Sequence, residues 1–185
     1  MEPTSTIDKI LSATSDIVVH EGVRSLTLEA VALRAGISKG GLLYHFSTKQ
    51  ALLRAFLFHT FEEYEAQIQS RAEELPKGPG RLLQASIEVA FDLSQASGLE
   101  YFGAIAGVFA EYPDLLDALG EREQALYRSI QEDSADPAMA TVVTLALEGL
   151  WMADLMGTGP SEGPERDVLH KTLTALASAR PKGTT

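Results

Sequence analysis

The chain has 185 residues, no cysteine and a formal net charge of −11 at pH 7. Its length allows one or two small domains with a real hydrophobic core, and the lack of cysteine excludes disulfides, thiol catalysis and thiolate metal sites. The N-terminus lacks the basic and apolar runs of a signal peptide, and no uninterrupted stretch of about 18 apolar residues occurs, so we expect neither a leader nor a membrane span.

The negative charge is concentrated in the later part of the chain. Residues 1–61 hold six Lys/Arg and five Asp/Glu, whereas residues 62–185 hold nine Lys/Arg and 21 Asp/Glu. Between Gly22 and Phe61 the only acid is Glu29. A strongly acidic chain is ordinarily a poor candidate for nucleic-acid binding, but this distribution leaves the N-terminal region compatible with DNA.

Apolar residues recur at helical spacing along most of the chain. A Pro- and Gly-rich break at residues 75–80 and a loop at residues 157–164 interrupt the pattern. The predicted helices cover residues 5–21, 28–35, 39–44, 48–74, 80–96, 98–111, 113–132 and 137–156, and a last helix contains Val168, Leu169, Leu173 and Leu176.

The stretch from Thr27 to Phe46 is predicted to form two short helices joined by a tight turn. Thr27 suits the N-cap of the first helix, Gly36 supplies the left-handed conformation that ends it, and Ser38 can cap the second. The second helix carries small residues, hydrogen-bond donors and a cation but almost no acid. This chemistry is typical of a helix that lies in the major groove of DNA.

Residues 7–58 resemble the DNA-binding region of TetR-family transcriptional regulators. The matching segments are Glu21-Gly22-Val23, Leu26-Thr27-Leu28, Ala35-Gly36-Ile37-Ser38-Lys39-Gly40, Tyr44-His45-Phe46 and Lys49-Gln50-Ala51-Leu52-Leu53. Two positions depart from the family's commonest form, since Gly41 replaces a usual Thr and Leu43 a usual Tyr. The resemblance implies an all-α protein with a three-helix helix-turn-helix domain over residues 1–48, a connecting helix over about 48–74, and a helical ligand-binding and dimerisation domain over 75–185.

The expected DNA contacts combine this resemblance with the chemistry of the second short helix. Lys49 resembles the family's phosphate-binding Lys, and Tyr44 and His45 suit a phosphate or a base edge. A solvated helix face is the alternative interpretation. The predicted DNA-binding residues are Thr27, Ser38, Lys39, Gly40, Gly41, Tyr44, His45 and Lys49.

The helix over residues 137–156 is apolar on nearly all sides, which predicts that it is buried on nearly all sides. Ala146, Gly149 and Ala153 share a narrow face that allows another backbone to approach closely. In the family the last two long helices form a dimeric four-helix bundle, so we expect these three residues, with Leu169 and Leu173, at a homodimer interface. A helix central to the core of a monomer is the alternative.

In the family a small molecule binds inside the C-terminal domain. The residues expected to line such a site are Phe91, Phe102, Phe109, Glu148, Trp151 and Met152. Glu148 stands out as a partner for a polar or cationic ligand group, because it lies in an otherwise apolar helix. Ordinary core packing is the alternative for the apolar residues, and a hydrogen bond at the dimer interface is the alternative for Glu148.

The sequence contains no catalytic motif, and its four histidines are widely spread. We therefore expect no enzyme, catalytic residue, cofactor or metal. The expected function is a TetR-like DNA-binding transcriptional regulator, located in the cytoplasm as a homodimer and acting as a repressor that a small-molecule effector releases from a palindromic operator. The alternatives are a TetR-like activator, or a helical ligand or protein interaction module with a vestigial DNA-binding head.

Overall fold

The computed structural model describes residues 5–95, 98–160 and 163–178, except for the side chains of residues 94–102, and the regular elements in these ranges are all helical. This confirms the predicted all-α class. A short 3-10 turn that the sequence analysis did not predict lies at Val23–Ser25. The helices are α1 (Thr6–Glu21), α2 (Leu28–Ala35), α3 (Lys39–His45), α4 (Lys49–Glu74), α5 (Arg81–Gln95), α6 (Gly98–Glu111), α7 (Asp114–Asp133), α8 (Pro137–Leu155) and α9 (Pro164–Ser178).

Local capping residues explain where several of these helices begin. Ser5 and Asp8 form a reciprocal capping box, in which each side chain accepts a hydrogen bond from the other residue's backbone N–H, at 3.1 and 2.9 Å. At α8 the Asp136 carboxylate accepts the N–H of Met139 at 3.0 Å, and Pro137 occupies the first helical position. The N-termini of α1 and α8 are therefore fixed by residues that are close to them in sequence.

The chain divides into two compact units, and the first contains the residues up to Glu62 together with Glu100–Leu119. In this unit α1 packs on α2, and α2 packs on α3. Val108 of α6 and Leu115 of α7 complete the core, so the first three helices do not form it alone. Its buried apolar side chains include Ile10, Ile17, Leu26, Val31, Leu42, Leu52, Phe56, Val108 and Leu115.

The second unit contains Glu63–Leu99 and the residues from Gly120 onward, and in it α5, α8 and α9 pack against one another. The end of α7 is bonded to the start of α5. The Asp133 carboxylate accepts the N–H of Leu82 at 2.9 Å, and the Asp133 carbonyl accepts the N–H of Gly80 at 2.7 Å. These bonds satisfy two N–H groups at the beginning of α5 that have no partner within the helix.

The two units differ in extent from the predicted domains. The first unit includes Glu100–Leu119, which the sequence analysis assigned to the ligand-binding and dimerisation domain. Both α4 and α7 contribute residues to both units. The functional boundaries at residues 48 and 75 stay a prediction.

Candidate nucleic-acid interface

The turn between α2 and α3 has the conformation of a helix-turn-helix. Gly36 adopts φ 68° and ψ 32°, the left-handed region that costs most residues energy but suits glycine. Its N–H donates to the Leu33 carbonyl, and the N–H of Ile37 donates to the Ala32 carbonyl at 3.0 Å. These bonds end α2 and satisfy carbonyl groups that the helix leaves open.

Side-chain caps begin both helices of this motif. The Thr27 hydroxyl accepts the N–H of Ala30 at 3.1 Å, and the Ser38 hydroxyl accepts the N–H of Gly41 at 3.0 Å. A Cβ built at Gly41 would lie 3.3 Å from the Ser38 hydroxyl, whereas one at Gly40 would meet no heavy atom within 4 Å. The outer surface of α3 at Gly40 is therefore open to another molecule.

Helix α3 has one buried anchor and an exposed polar side. Leu42 is fully buried in the core of the first unit, where α3 packs against α2. Tyr44 is 86 % exposed, and its ring meets the exposed His45 ring edge-on at 5.1 Å between centroids. These two side chains, which the sequence analysis selected, thus stand at the surface.

Two cations of this motif are paired with carboxylates. Lys39 forms an ion pair with Glu29, and this pairing lowers the pKa of the Glu29 carboxyl. Arg34 of α2 contacts both Asp16 and Glu21 of α1. Because these groups are largely exposed, such pairs are weak and can exchange for other anions.

Lys49, the first residue of α4, has more contacts than Lys39, and its side chain is less exposed. Its ammonium group donates to the Val23 carbonyl at 2.7 Å and lies 3.4 Å from a carboxylate oxygen of Glu111. It also lies 6.0 Å from the centroid of the Tyr112 ring. Burial, together with the Glu111 charge, raises the pKa of the Tyr112 hydroxyl. No local sequence pattern points to Glu111, because its contact with Lys49 joins residues 62 positions apart.

The predicted DNA-binding residues all belong to the first unit. Gly41 and Lys49 are partly buried, and the other six are exposed. A cleft of ≈ 550 Å³ in the same unit is lined by Val23, Arg24, Gly107, Ala110 and Glu111. None of these lining residues was predicted to contact DNA or an effector.

The predicted effector residues lie in both units. In the second, Phe91 is buried and its ring meets that of His170 edge-on at 4.6 Å, with the Arg166 guanidinium 5.0 Å from the Phe91 centroid. In the first, Phe109 packs against the core of that unit. The side chain of Phe102 lies outside the described residues.

Glu148 and Trp151 belong to an aromatic and acidic cluster within the second unit. The Trp151 ring meets the Tyr64 ring edge-on at 5.5 Å. Burial raises the pKa of the Glu148 carboxyl. The pKa of the Glu123 carboxyl is also raised, mainly by burial and to a smaller extent by the negative charge of Glu148. Burial, with the charges of both glutamates, also raises the pKa of Tyr64. The apolar pattern of α8 singles out Glu148, whereas no sequence pattern points to Glu123 on α7.

Helix α8 buries only one side in the single chain. Its buried residues, Ala140, Val143, Leu147, Leu150 and Asp154, follow helical spacing. The opposite side exposes Val142, Leu145, Gly149 and Met152, and the exposed Met156, the C-cap residue, continues it; we call these five residues the α8 stripe. Burial on nearly all sides, which the expected homodimer would complete, stays a prediction, because hydrophobicity alone does not say whether the same chain covers each face.

The five residues predicted at a dimer interface differ in their exposure and in their position relative to this stripe. Gly149 belongs to it, and Ala146 and Ala153 are partly exposed. On α9, Leu169 is half-buried, and Leu173 is buried within the second unit and has little surface left for a partner.

A buried ion pair between α8 and α9 was not foreseen. Both nitrogens at the end of the Arg166 guanidinium donate to the Asp154 carboxylate, at 3.2 and 3.1 Å, and both side chains are 5 % exposed. Arg166 also donates to the Pro160 carbonyl at 2.9 Å. The one signal in the sequence was an aspartate inside an apolar helix, which required a cation from elsewhere.

Comparison with known proteins identifies the family. Residues 10–56 match the profile of the bacterial regulatory proteins of the tetR family, and residues 80–178 match the tetracyclin repressor-like C-terminal domain. The HTH-type transcriptional regulator BetI of Ectopseudomonas mendocina is 26% identical over 155 residues, which cover 78% of this chain and 79% of BetI. The HTH-type transcriptional regulator RutR of Escherichia coli K12 is 34% identical over 128 residues, covering 68% of this chain and 57% of RutR.

A solved structure shares the fold. The TetR transcription regulator from Haloarcula marismortui, 15% identical in sequence, superposes with a TM-score of 0.75 over 95% of this chain and 97% of its own. These findings confirm the family that the sequence segments indicated. The chain belongs to the TetR family, and it is a DNA-binding transcriptional regulator with an N-terminal helix-turn-helix.

Proposed function

We propose that this regulator is a homodimeric repressor that leaves a pseudo-palindromic operator when a small-molecule effector binds. The observation that carries the dimer is the α8 stripe, which exposes Val142, Leu145, Met152 and Met156 on one side of a single helix. A contiguous apolar surface of this kind marks an interface. Two-fold symmetry of the dimer would then require two similar operator half-sites.

The residues next to the stripe support close packing by a second copy. Gly149 lies within it, and a Cβ built there would meet no heavy atom within 4 Å. The exposed side of α9 offers Val168, Thr172 and Ala175 at helical spacing. Small residues let helices approach closely, so α8 and α9 of two copies would form a four-helix bundle.

A membrane is the competing partner for an apolar helix. By length and hydropathy alone α8 would qualify as a membrane span. The buried Asp154–Arg166 pair and the carboxylate of Glu148 on this helix disfavour a lipid environment, because charged groups within a bilayer are costly. We therefore assign the stripe to a protein partner and the protein to the cytoplasm.

DNA contact is assigned to the exposed side of α2 and α3 and the start of α4. Lys49 and Thr27 would bind phosphates, whereas Lys39, Tyr44 and His45 would reach phosphates or base edges. The open surface at Gly40 would let the backbone of α3 approach the groove. Ser38 and Gly41 lie at the N-terminal end of α3, where backbone N–H groups favour anions.

The effector is assigned to the helical C-terminal region. Phe91 and Trp151, which both belong to the second unit, would supply apolar contacts. Glu148, with Glu123 beside it, would favour a polar or cationic group. Operator and effector binding would be coupled by about 1–3 kcal/mol, so that each lowers the affinity for the other by the same factor.

Two alternatives are compatible with the same fold. An activator would share the fold and every contact above. An interaction module with a vestigial DNA-binding head is favoured by Gly41 and Leu43, which lack the hydroxyl groups usual in the family. We propose no catalytic activity for the chain.

Selection from a random duplex DNA pool, followed by a salt titration of the selected sequence, tests the proposal. A functional dimer should select a pseudo-palindrome, and log K should fall steeply with log salt at about 0.9 per phosphate contact. A vestigial head would select no sequence and show almost no slope. Activation instead of repression would appear in a reporter gene carrying the selected site.

Sedimentation of two glycine variants tests the dimer. Gly149→Leu places a bulky side chain in the stripe and should weaken the dimer. Gly120→Leu is the matched control, because a Cβ at this glycine of α7 also meets nothing within 4 Å. A monomeric wild-type chain at micromolar concentration, or equal effects of both variants, would refute the interface.

A further inference from the structure

We propose that Glu111, the last residue of α6, competes with DNA phosphates for the ammonium group of Lys49 and so restrains DNA binding. The inference rests on the proposed role of Lys49 as a phosphate contact and extends it to a residue outside the helix-turn-helix. Glu111 would act through Lys49 and would not itself touch DNA.

The geometry gives Lys49 a defined resting position. Its ammonium group donates to the Val23 carbonyl at 2.7 Å, lies 3.4 Å from Glu111, and sits 6.0 Å from the Tyr112 ring centroid. The side chain of Lys49 is 24 % exposed and that of Glu111 is 33 % exposed. By contrast, Lys39 and Glu29 are both well over half exposed, so that pair is more strongly screened by solvent.

Helix electrostatics add to this position. Lys49 is the first residue of α4, where the partial positive charge of the helix N-terminus disfavours a cation. Glu111 ends α6, where the partial negative charge of the helix C-terminus favours one. The Lys49 ammonium group is therefore drawn toward the end of α6 while DNA is absent.

A phosphate that takes up Lys49 competes with the Glu111 carboxylate for one positive charge. The ammonium group has three donors, and the Val23 carbonyl accepts from one of them, so the two anions would lie close together on the other two. A phosphate and a carboxylate that shared this cation would repel each other. DNA binding therefore includes the loss of the Lys49–Glu111 pair, at the same cost for every DNA sequence, because a phosphate contact carries no base information.

The expected effect follows from the strength of partly exposed ion pairs. Such pairs contribute about 0.2–1 kcal/mol, so Glu111→Gln should raise DNA affinity by about 1.4- to 5-fold per DNA-reading head. The gain should be largest at low salt and fade as salt screens the pair. It should be equal for selected and random duplexes.

The test measures binding of a fluorescent random-sequence duplex by anisotropy across a range of salt. Glu111→Gln is compared with Asp114→Asn, which removes one negative charge from the same region. Asp114 pairs with the neutral amide of Gln50, so this control separates general charge from competition for a lysine. Both substitutions are repeated in a Lys49→Ala background, and circular dichroism and melting verify the fold of each variant.

The result expected is a gain from Glu111→Gln that exceeds the gain from Asp114→Asn and disappears in the Lys49→Ala background. Glu111→Asp, which keeps the charge, should return affinity toward the wild-type value. Equal gains from Glu111→Gln and Asp114→Asn, or a gain that persists without Lys49, would overturn the competition while leaving the DNA-binding role of Lys49 intact. If Glu111→Gln lowers stability, Glu111→Ala supplies the same comparison.

Lys49→Ala alone separates this inference from the proposed function. A weaker affinity with a salt slope reduced by about one per head supports the phosphate contact. An unchanged affinity and slope would remove Lys49 from the interface, and the competition would fail with it.

Discussion

Replacing Arg166 by methionine tests the buried ion pair that joins α8 to α9. Two guanidinium nitrogens lie 3.2 and 3.1 Å from the Asp154 carboxylate, and both side chains are 5 % exposed. Arg166→Met keeps much of the apolar volume but leaves a buried carboxylate without the guanidinium charge. Removing one partner of such a pair costs about 3–5 kcal/mol.

The corresponding change in melting temperature is large enough to measure. For a chain of this size each kcal/mol shifts Tm by about 2–4 °C, so Arg166→Met should lower Tm by roughly 6–20 °C. Arg71→Met is the matched control, because Arg71 pairs with Glu88 and Asp92 at 3.1 Å but is 39 % exposed. Its loss should cost about 1 kcal/mol or less.

Differential scanning calorimetry at one fixed protein concentration is the assay, since the Tm of a dimer depends on concentration. The double variant Asp154→Leu with Arg166→Met should recover most of the loss, because an apolar pair of similar volume often replaces a buried ion pair without cost. Equal shifts for the Arg166 and Arg71 variants would refute the reasoning from burial.

Three further predictions concern the effector cluster and the DNA face. Because the pKa of Glu148 is raised above 4.5 in the folded state, the folded protein holds this proton more tightly than the unfolded chain, and stability falls as pH rises above that value. Glu148→Gln should therefore raise Tm at pH 7, and the gain should shrink toward pH 4. Lys39→Ala should alter the sequence preference in the DNA selection if Lys39 reaches a base, and an unchanged selected motif would limit Lys39 to phosphates. A compound screen should find an effector that changes the fluorescence of Trp151, the only tryptophan; a screen that changed neither this fluorescence nor Tm would favour a regulator without a ligand.

The sequence predicted the helix-turn-helix closely because its signals are local. Thr27, Gly36 and Ser38 each act within four residues of their hydrogen-bond partners, and α2 begins and ends at the predicted residues. The family segments added DNA binding to this local structure. A short window of sequence therefore contained most of the information needed for this part of the fold.

The partners of the charged residues could not be predicted in the same way. Glu111 reaches Lys49 across 62 positions, and Glu88 and Asp92, which look like a solvated polar face, both bind Arg71 of α4. Such pairs depend on how helices pack, which no local pattern specifies. The side of α8 open to a partner was expected at Ala146, Gly149 and Ala153, and only Gly149 belongs to the α8 stripe. The reason is related, since an apolar residue has the same hydrophobicity whichever chain covers it.

The bonds between Asp133 and the start of α5 bear on how the chain tolerates a break. Residues 76–79 are exposed, whereas Gly80 is buried and its N–H donates to the Asp133 carbonyl at 2.7 Å. Trypsin has a cleavage site at Lys77 within this exposed connection. A nick there would leave the start of α5 bonded to Asp133 within the C-terminal fragment. The pairs Arg71–Glu88 and Arg122–Glu65 would join this fragment to α4, so the two fragments should remain associated under native conditions. The same four residues are therefore a suitable position for an inserted tag or for new termini in a circular permutant.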